Sequence, residues 1–234
     1  KSTNAANTAM VDRVGRRLAD AVDAYLNAHG YQNDVKNFHW EFNLVQNKEA
    51  NAFCMPGGKI VVYEGLLPYT RDETSLAIVL GHEIAHAVAK HSAEQMTKQQ
   101  NQQLGTNIGA NIIGAVTGNS DLGTVAGQVA GQYFSFLNLK YSREDELEAD
   151  HIGLILAAMA GYDPEAAIPF WKRMSAASGN ANISDFMSDH PSDAKRIAAL
   201  QAEMPEALKY YQSYKTTHKS YPISSYRTSR RTSN

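Results

Sequence analysis

The sequence lacks the residues that build several common kinds of site. It contains one cysteine, Cys54, so an internal disulfide framework, a zinc ribbon and an iron–sulfur cluster are excluded. Its 22 basic and 24 acidic residues nearly balance, and a formal net charge of −2 gives no overall field that would attract nucleic acid or an anionic membrane. No uninterrupted apolar run reaches the roughly 18 residues that a membrane-spanning helix needs, so we expect no transmembrane helix in these residues.

What is present is typical of a folded domain. The chain has 234 residues, of which 43% are hydrophobic, and can bury a sizeable core. Residues 9–29 repeat apolar side chains at helical spacing, and Gly30 is the predicted end of that helix. Three segments have the strand period and are expected to form a small antiparallel sheet: 38–46, 50–55 and 60–63. Helices are expected after Tyr63, the first of them capped by Thr70 with Glu73. The predicted fold class is therefore α+β, mainly α.

Composition divides the chain into three regions. Residues 1–8 are small and polar and are predicted to be a flexible lead-in to a domain over 9–214. Residues 215–234 contain five Lys/Arg and no acid, which is typical of a disordered basic tail. Within the domain, residues 95–131 are rich in Gln, Asn, Gly and Ala. We interpret this segment as a mobile helical excursion that shields the active site as a lid.

The most specific motif in the chain is His82-Glu83-Ile84-Ala85-His86. Positions i and i+4 share one face of a helix, so both imidazoles can reach one metal ion. The glutamate between them can contact a metal-bound water without occupying the metal. The alternative is a pair of surface histidines that bind nothing. Apolar residues around the helix argue against it, because burying an unpaired polar group costs roughly 1–3 kcal/mol.

A catalytic zinc site has three protein ligands and an open fourth position, so two histidines need a third partner. The candidates are His91, His151, His190 or a carboxylate. We predict Glu146, which lies at i, i+4 to Asp150 on a later helix. Asp150 is then expected to accept a proton from a ligating histidine and fix its tautomer.

The surroundings of Glu146 have their own interpretation. Small residues on its side of the helix, at Ala149, Gly153 and Ala157, would allow close packing against the helix that carries His82. Nearby acidic residues are interpreted as a solvated first turn that suits the helix dipole: Glu144, Asp145 and Glu148. The histidines outside the motifs are interpreted as structural or surface residues: His29, His39, His91, His151 and His218.

Four blocks of sequence together resemble one family of enzymes. The first runs from Asn51-Ala52-Phe53 through Pro56-Gly57-Gly58-Lys59-Ile60 to Gly65-Leu66-Leu67, the second is His82–His86, and the third is Glu146–Asp150. A weaker fourth is His190-Pro191-Ser192 with Arg196-Ile197. In this order, over roughly residues 10–205, the chain resembles the gluzincin zinc metallopeptidases. That family includes the CAAX prenyl endopeptidases, HtpX, the mitochondrial Oma-type proteases and the periplasmic β-barrel assembly-enhancing protease.

The resemblance implies a zincin-like metallopeptidase domain with one Zn²⁺, held by His82, His86 and Glu146, and with Glu83 as general base. It also implies proteolysis of membrane-associated or misfolded proteins, in the periplasm or at the outer membrane of a bacterial envelope. Because no membrane span is expected, the chain is most similar to the periplasmic branch, without that branch's helical-repeat domain.

Two further residues have open roles in the expected chemistry. Zinc supplies a Lewis acid and a water whose pKa is about 7, and Glu83 is expected to accept that proton and pass it to the leaving amine. His190 is the candidate donor to the oxyanion, with Arg196 orienting it or the substrate. His190 could instead start a helix before Pro191, or occupy the open zinc position and hold the enzyme latent.

The substrate is expected to be a protein or peptide in an extended or unfolded state. If the strand that follows Asn51 is a sheet edge, Asn51, Ala52 and Phe53 can pair with a peptide backbone. Otherwise that strand is a simple core hairpin. A client-binding or chaperone-like protein with a capped zinc site, and a nucleic-acid binder that uses the basic tail, are the alternative functions. The net charge of −2 opposes the latter.

Overall fold

A computed structural model of the protein describes residues 1–91, 94–95, 97–98 and 139–218. Nearly all of the predicted lid at 95–131 lies outside the described residues, as does the basic tail beyond His218. Over the described ranges, no helix combines the length and the apolar character that crossing a membrane requires.

Helix α1, Ala5–Ala28, begins four residues before its predicted start. Asn4 caps it by accepting a hydrogen bond from the Asn7 amide, and the Ser2 amide donates to the Leu44 carbonyl at 2.8 Å. Helix α1 therefore includes residues 5–8 of the predicted lead-in, which the sequence pattern does not indicate because the first turn is exposed and shows no apolar period. Gly30 follows the helix with a φ of +83°, as its predicted role requires.

The sheet has three strands in the order β1-β3-β2: β1 is Glu41–Val45, β2 is Ala52–Met55 and β3 is Lys59–Tyr63. Strands β2 and β3 form the predicted antiparallel hairpin, which turns at Gly57 and Gly58 with φ of +85° and +90°. Strand β1 pairs with β3 in parallel, so the expectation of a wholly antiparallel sheet is wrong for this pair. Strand β2 of the hairpin occupies one edge of β3. Strand β1 pairs along the other edge and runs in the same direction as β3.

The other regular elements of the described chain are helices. The 3₁₀ turns are Glu64–Leu66 and Pro164–Ala166. The α-helices after α1 are α2 Gln32–Val35, α3 Leu67–Thr70, α4 Glu73–Val88, α5 Arg143–Met159, α6 Ala167–Ala176, α7 Ser184–Asp189 and α8 Ala194–His218. Helix α8 continues four residues past the predicted domain boundary at 214. The predicted α+β, mainly α class is confirmed.

Helix α4 is the central element of the core. It is buried without interruption from Ser75 to His86, and it contacts α1, β2 and α5. Asp72, rather than the predicted Thr70, caps it by accepting from the Ser75 amide, because Thr70 ends the preceding helix α3. A core helix covered on these sides offers its polar residues no solvent, so they must find partners inside the protein.

Candidate metal centre

Four buried side chains converge between the helices: His82 and His86 from α4, Glu146 from α5 and His190 after α7. Their ligand atoms all lie within 4.8 Å of one another. The Nε2 atom of His82 is 3.1 Å from Nε2 of His86 and 3.2 Å from Nδ1 of His190. Oε1 of Glu146 is 3.2 Å from Nε2 of His86 and 3.0 Å from Nδ1 of His190.

This donor set fits a metal ion. A tetrahedral ion with ligand bonds of about 2.0–2.1 Å holds its donors about 3.3–3.4 Å apart, close to the separations observed here. Nε2 of His82 faces ring nitrogens of both His86 and His190, and one nitrogen can donate at most one proton. Imidazole nitrogens that face one another beside a carboxylate suit a shared cation.

Asp150 orients His82. Its Oδ1 accepts a hydrogen bond from Nδ1 of His82 at 2.9 Å, which leaves Nε2 of His82 directed at the other donors. Arg196 holds the same carboxylate through two bonds, Nε to Oδ2 at 2.6 Å and Nη2 to Oδ1 at 2.8 Å. The guanidinium lies over the Trp171 ring, 3.7 Å from its centroid. The sequence analysis expected Asp150 to contact a ligating histidine, and the structure places it against His82.

Arg196 is 3% exposed, and its guanidinium faces inward. Its Nη1 donates to the backbone carbonyls of His190 at 3.2 Å and Pro191 at 3.3 Å. Of the two roles that the sequence left open for Arg196, the geometry favours orientation of the His190 segment over contact with a substrate.

Glu83 lies beside the four donors and outside their cluster. Its Oε1 is 3.5 Å from Nε2 of His190, and that oxygen accepts no hydrogen bond from the part of the chain that the structure describes. Burial raises the pKa of the Glu83 carboxyl, against the opposing effect of His190 and His82. A buried carboxylate with an unused oxygen can accept a proton from a neighbouring reactant.

The pKa shifts of the ionisable groups in the cluster differ in direction from residue to residue. Burial lowers the pKa of His86 to about 3, so this imidazole is neutral and has a lone pair to offer. Burial also opposes the charged form of His82, but the carboxylates of Glu146 and Asp150 outweigh it and raise the pKa of His82 to about 9. The pKa of Glu146, which burial alone would raise, is held far below its ordinary value by His190 and His82.

Two residues that were not predicted to act at the site contact His86. His91, interpreted as structural or surface, is buried with its Nδ1 3.0 Å from Nδ1 of His86. Tyr141 stacks on the His86 ring at 3.8 Å between centroids and 18° between planes. The chain turns back to His91 through Lys90, which has a φ of +65°. A left-handed lysine has no signature in the sequence, so this contact could not be predicted from spacing.

The predicted substrate strand is the outermost strand of the described sheet on the side of α4. Strand β2 pairs with β3 on one side and contacts α4, the helix that carries His82 and His86. Ala52 and Phe53 are buried, and the carbonyl of Asn51 accepts from the Tyr63 amide at 2.9 Å.

Comparison with known proteins decides the family. The sequence profile of Peptidase family M48 matches residues 5–204, which is most of the chain. The chain belongs to peptidase family M48. The family match and the cluster of histidine and glutamate donors together indicate a metal ion at this site.

The chain is also similar to mitochondrial metalloendopeptidases and to a β-barrel assembly-enhancing protease. The chain is 38% identical to the mitochondrial metalloendopeptidase OMA1 of Schizosaccharomyces pombe over 190 residues, or 81% of this chain and 54% of that protein. It is 38% identical to OMA1 of Arabidopsis thaliana over 79% of this chain and 36% of that protein. For the β-barrel assembly-enhancing protease of Escherichia coli, the identity is 30% over 74% of this chain and 37% of that protein.

These relatives confirm the resemblance to both the Oma-type and the assembly-enhancing members. The identity is higher to the two OMA1 proteins than to the E. coli protease, although the sequence blocks were expected to match the periplasmic branch best. The chain spans about half or less of the length of each of these three relatives.

Proposed function

We propose that this chain is a zinc-dependent endopeptidase that hydrolyses peptide bonds of unfolded or misassembled proteins. The observation that carries the proposal is the buried set of four converging donors. The carboxylate of Glu83 lies next to these donors but is not one of them. The family match and the names of the relatives support the same activity.

In this proposal, His82, His86 and Glu146 hold one Zn²⁺. The ion, when bound, supplies a Lewis acid that polarises the peptide carbonyl and makes water acidic enough to ionise near neutral pH. Glu83 accepts the proton of the attacking water on its free oxygen and delivers it to the leaving amine. Asp150 keeps the proton of His82 on Nδ1, so that Nε2 stays available as a ligand.

His190 closes the site at rest in this account. Its Nδ1 lies within 3.2 Å of donors from both His82 and Glu146, which is the separation expected of a fourth ligand. Arg196 holds the backbone carbonyl of His190 in that position. Cleavage then requires His190 to leave, which opens a place for the substrate.

The substrate is proposed to lie extended along β2, with Asn51, Ala52 and Phe53 facing its backbone. Pairing through main-chain groups gives weak sequence preference and suits unfolded chains. Peptides with N-methylated amides on alternate residues should be cleaved more slowly than the unmethylated peptide. Cleavage at equal rates would contradict pairing along this strand.

The clients and the location are proposed from the resemblance. The E. coli relative is named for β-barrel assembly, which supports envelope proteins as clients and a periplasmic or outer-membrane-associated site of action. Other relatives are named as mitochondrial, so localisation of a tagged chain in its own cell is the direct test.

A second candidate function is a client-binding protein with a permanently capped metal. The proximity of His190 to the other donors favours it, because structural zinc sites are closed.

Incubation of the zinc-loaded chain with casein, which is unfolded, tests both. A peptidase should produce fragments, stop after chelation and resume when zinc is restored. Bound zinc without any fragments, from the unsubstituted chain and from His190→Ala alike, would overturn the peptidase and favour the capped site.

A further inference from the structure

His91 lies behind a proposed metal ligand, although it belongs to none of the sequence motifs and was interpreted as a structural or surface residue. Helix α4 ends at Val88, and the left-handed Lys90 turns the chain so that His91 returns beneath His86. His91 is 4% exposed. Its Nδ1 lies 3.0 Å from Nδ1 of His86, and its Nε2 lies 3.3 Å from Oε2 of Glu148.

Metal binding by Nε2 of His86 would determine where the ring protons of His86 and His91 lie. His86 presents Nε2 to the other donors, 3.1 Å from His82 and 3.2 Å from Glu146. If that nitrogen binds a cation, the single ring proton of His86 is on Nδ1. The His86 Nδ1–H must then donate to Nδ1 of His91, so the proton of His91 is on Nε2 and donates to the Glu148 carboxylate.

A hydrogen bond in the opposite direction, donated by His91 to His86, is incompatible with metal binding by His86. If His91 donated from Nδ1, a neutral His86 would carry its proton on Nε2, pointing into the donor cluster. Nε2 of neutral His91 would then turn a lone pair towards the Glu148 carboxylate, which also accepts only. One arrangement of protons therefore satisfies all three groups and leaves His86 free to bind.

We propose that His91 is a positioning residue for the metal centre, which fixes the tautomer and the ring orientation of His86 through a Glu148–His91–His86 relay. It does for His86 what Asp150 does for His82. Tyr141 stacks on the same His86 ring at 3.8 Å and limits its rotation. Glu148 is 59% exposed, so the relay joins the buried site to the surface of α5. The inference rests on the metal site of the proposed function.

Substitutions of His91 distinguish hydrogen bonding to His86 from a contribution to packing alone. His91→Phe keeps a ring and removes both hydrogen bonds, and we expect zinc affinity to fall about 10- to 100-fold, the usual effect of losing such a partner. In His91→Asn, the amide oxygen occupies nearly the position of Nδ1 and can accept from His86. Its zinc affinity should return to within a few fold of the unsubstituted chain.

His151→Phe is the matched control. His151 lies on α5 and pairs with a carboxylate, Glu203, at 3.5 Å, but it is not one of the four donors of the cluster. Its substitution should leave zinc affinity unchanged. Thermal unfolding of each variant without added metal reports whether it folds. If His91→Phe does not fold, His91→Asn and the spectrum of the unsubstituted chain decide.

Nitrogen NMR of the zinc-loaded, unsubstituted chain reads the tautomers directly. We expect the proton of His91 on Nε2 and that of His86 on Nδ1. A His91 protonated on Nδ1, or wild-type zinc affinity in a folded His91→Phe, would overturn the relay and leave the peptidase intact. Failure of the unsubstituted chain to bind zinc would overturn the proposed function as well.

Discussion

Gly81 and Gly153 bring helices α4 and α5 into backbone contact: a Cβ added to Gly81 would lie 2.8 Å from the carbonyl oxygen of Gly153. The two glycines flank the donors in sequence, one residue before His82 and seven after Glu146. Close approach of the two helices therefore sets the distance between the histidines and the carboxylate. It confirms the close packing that the small residues of α5 predict.

Gly153→Ala should weaken both the fold and metal binding. The new methyl would lie 2.8 Å from the backbone nitrogen of His82, and overpacking of this kind costs typically 1–3 kcal/mol. Urea unfolding and zinc titration measure the two effects. Gly179→Ala is the control, because a Cβ there meets nothing within 4 Å. A Gly153→Ala chain with unaltered stability and zinc affinity would contradict this account of the helix contact.

Arg196→Lys should destabilise the chain strongly, by an amount approaching the 3–5 kcal/mol of a broken buried ion pair. A lysine cannot reproduce the two bonds to Asp150 together with the bond to the His190 carbonyl. The control is Arg143→Lys, since the Arg143–Asp193 pair is exposed and should contribute at most about 1 kcal/mol. Equal unfolding free energies for the two variants would show that the buried Arg196–Asp150 pair stabilises the fold no more than the exposed Arg143–Asp193 pair does.

The stability of the fold should depend on pH through Glu73, which lies at the start of α4. Hydrogen bonds from Arg13 and Tyr162 lower the pKa of its carboxyl, despite an opposing effect of burial. A lowered carboxyl pKa gives stability that is present above the unfolded-state pKa of about 4.3 and is lost as pH falls through the folded-state pKa.

Glu73→Gln should therefore unfold at a lower temperature than the unsubstituted chain at pH 7. The difference should shrink as the pH falls below about 4. Thermal unfolding across the acid range measures it. A difference that stays constant down to low pH would mean that Glu73 contributes through packing and not through its charge.

His190→Ala should release the proposed latent state. Removal of the fourth donor leaves His82, His86 and Glu146, so zinc should bind more weakly while peptide cleavage at saturating zinc becomes faster. Zinc titration and cleavage rates are both needed. If zinc remains bound and cleavage is lost, His190 serves the transition state and does not hold the site closed.

Much of the site could be predicted from the sequence, because its parts are short and local. His82 and His86 share a helical face by spacing alone, and Glu146 and Asp150 do so on a second helix. Their meeting across sixty residues of chain was predicted from the family resemblance and from the small residues of α5. His190 was proposed as a fourth ligand, but its spacing gave no way to choose among three roles.

The missed features depend on tertiary structure or on backbone geometry. The period of residues 38–46 indicates a strand but not its partner, so the parallel pairing of β1 with β3 could not be derived. Thr70 matched a capping pattern, yet a short helix already includes it and Asp72 takes the cap. His91 reaches His86 only because Lys90 adopts a positive φ.

Cleavage of an unfolded protein by the zinc-loaded chain, compared with cleavage by Glu83→Gln, shows whether Glu83 is the general base of a zinc peptidase. Glutamine keeps the shape of the side chain and cannot accept the proton of the attacking water. We expect that both proteins bind one zinc and that cleavage falls by about 10²- to 10⁴-fold in the variant, the usual contribution of a general base. Cleavage at an undiminished rate by Glu83→Gln would contradict it.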